Sequence, residues 1–131
     1  MYHFLCPAKY RRVVIDESVD ECIRQTCMGI ELRYEWISFL EIGTDKDHVH
    51  FLIQSVPSKR PQEIIRVVKS ITAKRVFAEH PEVKKKLWGG EFWSDGYFVT
   101  SVGKNTNEAV IQKYVKQQGT QDEYKQLYKK V

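Results

Sequence analysis

Trp36-Ile37-Ser38-Phe39-Leu40-Glu41-Ile42, then Gly43-Thr44-Asp45-Lys46-Asp47, then His48-Val49-His50-Phe51-Leu52-Ile53-Gln54: the fold turns on this stretch. Its two outer runs are rich in β-branched and aromatic residues, and the segment between them is made of turn formers, so it reads as an antiparallel hairpin. Side chains alternate along a strand, which sends Val49, Phe51 and Ile53 to one face and His48, His50 and Leu52 to the other. The apolar trio takes the core.

Working outward, Tyr2 to Cys6 reads as a strand. Asp16 to about Arg33 carries Val19, Cys22, Ile23, Cys27 and Ile30 at three- and four-residue spacing, the mark of an amphipathic helix. Beyond the hairpin, Pro57, Ser58 and Pro61 announce a second helix. Ile64, Ile65, Val68, Ile71, Ala73 and Val76 form its apolar side, with Arg66, Lys69, Ser70 and Lys74 largely on another. A basic, aromatic connection with Trp88, Gly89, Gly90 and Trp93 leads to a strand over Tyr97 to Val102. A last major helix, about Thr106 to Gln118, starts with the capping pair Asn105 and Glu108 and ends where Gly119 suits a left-handed residue. Tyr124, Leu127, Tyr128 and Val131 also have helical spacing and read as a docking helix or a frayed end.

The order β, α, β, β, α, β, then a further α, is that of an α+β, ferredoxin-like or RRM-like fold: a four-stranded antiparallel sheet with helices on one face and an additional C-terminal helix. The other face is left for a ligand, a partner or the extra helix, as in RNA-recognition modules.

Composition bounds the class. With 131 residues, 42% hydrophobic, 12% aromatic and 29% charged, the chain suits one globular domain over residues 1–131 and excludes disordered, collagen-like and coiled-coil classes. No apolar run approaches the roughly 18 to 20 residues of a membrane span, so the expectation is a cytoplasmic protein without membrane attachment. Cys6, Cys22 and Cys27 form no Cys-x-x-Cys pair and read as reduced and structural. The net charge of +4 is mild. Its basic residues nevertheless cluster near Lys9, Arg11 and Arg12, along Arg66, Lys69 and Lys74, and at Lys84 to Lys86, where they read either as solvated helix faces or as phosphate contacts.

The pointed motif is Asp47-His48-Val49-His50. Two imidazoles on one strand face lie roughly 6.5 to 7 Å apart along the strand, a spacing that can bring two nitrogens to one divalent cation; two surface histidines with no role fit equally. The residue at the next alternate position is Leu52, which excludes the histidine-triad hydrolases, and the paired His-x-Thr/Ser motifs of the two-histidine phosphoesterases are absent. On the last helix Tyr114 and Gln118 are four apart, presenting a phenol and an amide together. Tyr114 also belongs to an apolar stripe with Val110, Ile111 and Val115, which suits a core or an interface.

Lys9-Tyr10-Arg11-Arg12, Asp47-His48-Val49-His50, Leu87-Trp88 with Phe92-Trp93-Ser94-Asp95-Gly96-Tyr97-Phe98-Val99, and Ile111 to Gln118, taken in order, resemble the single-tyrosine HUH transposases of the insertion-sequence 200/605 family. The resemblance spans nearly the whole chain. It implies that His48 and His50 are metal ligands, that Gln118 supplies a third and that Tyr114 is the nucleophile. It further implies a covalent 5′-phosphotyrosine intermediate, magnesium as the metal with manganese expected to substitute, and single-stranded DNA substrates with hairpins near the element's ends. A homodimer whose active sites are completed in trans is also implied. Arg11, Arg12, Arg66, Lys69 and Lys74 are the candidates for DNA contacts. The competing readings are an HUH replication initiator or relaxase-type nickase, and a non-catalytic single-stranded nucleic-acid-binding module that assigns no role to His48, His50 or Tyr114.

Overall fold

A computed structural model describes residues 1–103 and, as backbone, the strand 125–129. The elements are β1 (Tyr2–Pro7), a 3-10 turn (Lys9–Arg11), α1 (Glu17–Arg33), β2 (Ser38–Thr44), β3 (His48–Gln54), α2 (Pro61–Glu79), α3 (Pro81–Lys86), β4 (Phe98–Ser101) and β5 (Lys125–Lys129). They build one sheet in the order β4-β1-β3-β2-β5 with every neighbouring pair antiparallel. The first four strands have the ferredoxin-like arrangement. β5 extends it at the β2 edge.

Local sequence explains the main elements. Asp16 caps α1 by accepting from the Val19 amide at 2.9 Å, and its carboxyl is held below its ordinary value chiefly by that bond. Pro61 opens α2, where a missing N–H is harmless. Val19, Ile23, Cys27 and Ile30 of α1 and Ile64, Ile65, Val68 and Val76 of α2 bury one helix stripe each. These stripes and the sheet residues Phe4, Cys6, Phe39, Ile42, Val49, Phe51 and Ile53 belong to one core. Thr72 takes a core place on α2 by donating to the Val68 carbonyl and accepting from Trp93 Nε1 at 3.0 Å, while Ile71 and Ala73 are only half buried.

β2 keeps its pattern by means of a register shift between Phe39 and Glu41. This bulge at Leu40 resets the alternation, so Phe39, Ile42 and Thr44 share the helix-side face and Glu41 and Gly43 the opposite one. Gly43 and Thr44 belong to the strand rather than the turn, which shrinks to Asp45-Lys46-Asp47; Asp45 closes it by accepting from the Lys46 amide at 2.8 Å.

The face opposite the helices is not open at its centre, because His3, Glu41, His50 and Leu52 are all buried. Cys6, Cys22 and Cys27 are free and buried, and burial pushes the Cys6 thiol up to about 12. The helical expectation for the carboxy-terminal stretch is corrected, since Lys125–Lys129 forms a strand on β2. A helix of about two turns gains little alone, whereas the β2 edge offers a row of backbone partners. The expected helix at 106–118, with Tyr114 and Gln118, lies outside the described residues. Among the described residues no helix is long and apolar enough to cross a membrane.

Candidate metal centre

The register that builds the sheet also gathers three imidazoles. β1 pairs with β3 so that His3 faces Leu52 and Leu5 faces His50, which puts His3, His48 and His50 on the same side of the sheet. Their rings lie closer than strand rise alone suggests: the centroids of His48 and His50 are 4.9 Å apart and the rings nearly perpendicular, at 80°. His3 Nε2 lies 3.0 Å from His50 Nδ1, with the two rings inclined by only 17°. Exposure is 3% for His3, 5% for His48 and 0% for His50, so these are not the surface histidines that the motif alone also allowed. Gly43, directly opposite His50 on β2, adds no side chain to this face.

Electrostatics fix the protonation of two of the three. Burial lowers His50 to about 3, helped by the neighbouring His3 and His48 and opposed by Asp45, and burial lowers His3 to about 4. Both are neutral at pH 7. His48 is held differently, with Asp47 Oδ1 at 2.7 Å from its Nδ1 and Asp45 Oδ2 at 3.9 Å from its Nε2. Asp47 in turn meets Arg11 Nε at 3.4 Å.

This donor set fits a divalent transition-type cation. A ligating histidine ordinarily has its second ring nitrogen tied to a polar group that fixes tautomer and orientation. Here Nδ1 of His48 is tied to a carboxylate and Nδ1 of His50 to an imidazole, which leaves Nε2 as the nitrogen of each ring that could face a cation. Among the described residues no three His, Cys, Asp or Glu side chains are grouped to hold a metal.

The cationic candidates separate. Arg11 reaches the metal centre through Asp47, and the Arg12 guanidinium lies over the Trp88 ring at 4.9 Å. Arg66, Lys69 and Lys74 lie on α2, across the sheet from the imidazoles. Lys69 has a structural use there, donating to the Ser94 and Gly96 carbonyls at 2.9 Å each, whereas Arg66 and Lys74 are exposed. His3, Asp45 and Asp47 were not singled out as site residues from the sequence. The signal for His3 was present, because alternation puts it opposite Phe4 and Cys6 on a strand that this topology seats beside β3.

Comparison with known proteins shows what the whole chain is similar to. Residues 1–118 match the family model described as "Transposase IS200 like". The chain is 31% identical over 117 residues to the ISDra2 transposase TnpA of Deinococcus radiodurans, covering 89% of this chain and 82% of that one. It is also 31% identical over 127 residues to the transposase for insertion sequence element IS200 of Salmonella typhimurium, covering 92% and 78%. A crystal structure from Deinococcus radiodurans, described as that of a transposase, superposes with a TM-score of 0.63 at 27% identity over 89% of this chain and 88% of the other.

Proposed function

The chain belongs to the IS200-like transposase family, and from that premise we propose that it cleaves and rejoins single-stranded DNA at the ends of an insertion sequence. In this reading Tyr114 is the nucleophile, and His48, His50 and Gln118 hold a divalent metal, magnesium in the cell. The observation that carries it is the buried pair of imidazoles 4.9 Å apart, each anchored through Nδ1.

When bound, the cation supplies Lewis-acid polarisation of a non-bridging phosphate oxygen. The side chains do the rest. Were His50 to hold the cation through Nε2, its Nδ1 would carry the proton and donate to His3 Nε2, which can accept because His3 is neutral at pH 7. Asp47 accepts from His48 Nδ1–H and holds that ring in the matching tautomer.

Tyr114 attacks the scissile phosphorus through its phenolic oxygen. The bond from phosphorus to the 3′ oxygen breaks, leaving a 3′ hydroxyl on one end and a 5′ phosphate esterified to the tyrosine on the other. A free phenol has a pKa of about 10, so it reacts at neutral pH only when the phosphate is polarised or the phenolate favoured. Attack by a 3′ hydroxyl on the phosphotyrosine remakes a phosphodiester and returns the phenol. The bond is conserved, and no nucleotide cofactor is consumed.

Two imidazoles and an amide oxygen make a site of intermediate hardness, so manganese substitutes for magnesium. Hairpins at the element ends present the single strand, and a homodimer completes each site with the Tyr114-bearing segment of the other subunit.

The test is His48→Asn, whose amide nitrogen replaces Nδ1 toward Asp47 while Nε2 is lost. Binding of single-stranded element ends is retained and cleavage with magnesium or manganese disappears. Cleavage at the unsubstituted rate would remove His48 from the metal site.

A further inference from the structure

Beside the metal centre lies a patch that the cleavage chemistry does not use. Tyr10 and Trp88 are 61% and 72% exposed, and their ring centroids are 5.4 Å apart with the planes inclined by 53°. Two large aromatic rings turned together into water are unfavourable for folding alone. Their backbones are unfavourable as well: Tyr10 (φ 59°), Arg11 (φ 52°) and Trp88 (φ 56°) are the non-glycine residues with positive φ among those described, and all three are here. Residues with side chains adopt that region at a cost, and such strain gathers at functional positions.

The surroundings hold the patch in shape. The Lys9 amide donates to the Phe92 carbonyl and the Ala8 amide to the Asp47 carbonyl, each at 2.8 Å, which ties the Tyr10 turn to the Trp93 segment and to the β2-β3 turn. Lys9 is engaged by Glu91 at 3.6 Å and Asp95 at 3.7 Å. Arg12 lies over the Trp88 ring, and exposed Lys85 and Lys84, the latter with its ammonium 5.7 Å from the Phe77 ring centroid, line with Pro81, Trp88 and Gly89 a shallow groove of about 490 Å³. The patch is also coupled to the metal centre, since Arg11 Nε is 3.4 Å from Asp47 Oδ2 and Asp47 Oδ1 is 2.7 Å from His48 Nδ1.

We propose that Tyr10 and Trp88, flanked by Arg12, Lys84 and Lys85, form a stacking site for an unpaired base of the single strand whose neighbouring phosphate lies at His48. Every base offers a π face, so the site tolerates any sequence, and the cations neutralise the phosphates on either side. An apolar protein partner is the poorer occupant, because it would bury these cations without anions to meet them. The placement next to the scissile phosphate rests on the cleavage reading; the stacking does not.

The experiment uses the full chain carrying Tyr114→Phe, in EDTA, with a fluorescent oligothymidylate of about twelve nucleotides and no hairpin. Trp88→Leu weakens binding about 5- to 150-fold, the span expected for loss of one stacked base, with the salt dependence unchanged. Trp88→Phe restores most of the affinity. Lys84→Gln with Lys85→Gln lowers the slope of log affinity against log salt by between one and two. Tyr10→Leu is the second ring variant, and Leu32→Ser, on an exposed position of α1, is the control. Melting temperatures identify any variant that fails to fold.

Affinity of folded Trp88→Leu and Tyr10→Leu within twofold of the control overturns the proposal. So does a change of sedimentation mass on Trp88→Leu, which would make a second copy the occupant. Cleavage and stacking fail separately here, because the binding assay contains neither metal nor nucleophile.

Discussion

His3 is the residue whose replacement most directly tests how the metal centre is organised. Its Nε2 is 3.0 Å from His50 Nδ1 in a site where both rings are almost fully buried. His3→Leu keeps the apolar volume and removes the acceptor, leaving a buried N–H on His50 without it. The deficit for such a group is about 1 to 3 kcal/mol. At roughly 3 to 4 °C per kcal/mol for a domain of this size, melting falls by about 3 to 12 °C, too little to unfold the protein at 25 °C.

The larger effect is on the metal. Removing the partner that fixes a ligating histidine typically weakens metal binding about 10- to 100-fold. Calorimetric titration of manganese into the folded His3→Leu protein measures that loss, and His3→Gln, whose amide oxygen replaces Nε2, recovers most of it. Manganese affinity unchanged in His3→Leu would refute the orientation argument. A loss in His3→Leu that His3→Gln does not recover would show that only packing was disturbed.

Other outcomes follow from particular contacts. Asp16→Ala removes the α1 cap and lowers stability by about 1 kcal/mol. Because the folded Asp16 carboxyl titrates below its ordinary 3.8, that difference is fully present above the ordinary value and vanishes as pH falls through the folded one, which urea unfolding at stepped pH measures. Ile23→Ala opens a cavity in a fully buried position and costs about 2 to 5 kcal/mol by the same method. Trp93→Phe deletes the donor to Thr72 Oγ1 and costs about 1 to 3 kcal/mol, with binding of the fluorescent oligothymidylate unchanged. Manganese supports cleavage as magnesium does, measured on labelled element ends; activity with magnesium and none with manganese would contradict a site built on two imidazoles.

Much of this was legible in the chain because the deciding signals are local. Alternation on β3 separated Val49, Phe51 and Ile53 from the histidines, and the Asp16 cap and Pro61 marked the helix starts. What escaped depends on neighbours distant in sequence. The bulge at Leu40 is set by pairing with β3, so hydrophobic alternation alone could not show that Gly43 and Thr44 belong to the strand. The β5 strand misled for a similar reason, since Leu127 and Tyr128 fit a helix as readily as a strand until the β2 edge supplies partners.

At the site, His48 and His50 announced themselves by spacing, whereas His3 is 47 positions from His50 and reaches it only through the β1-β3 register. Tyr10 and Trp88 escaped as a pair because neither motif reveals that the 3-10 turn and the second residue after α3 meet. Tyr97 packs edge-on against Phe4, 5.8 Å between centroids, on the helix side of the sheet and away from the imidazoles.

The most direct test of the central claim mixes the full chain with labelled single strands covering both ends of its element, with and without magnesium or manganese, and looks for a protein-DNA adduct that survives denaturation. The account predicts an adduct that requires the metal, is absent in Tyr114→Phe, and maps to a peptide containing Tyr114. An adduct that persists in Tyr114→Phe, or none at all from correct ends that are demonstrably bound, would contradict it.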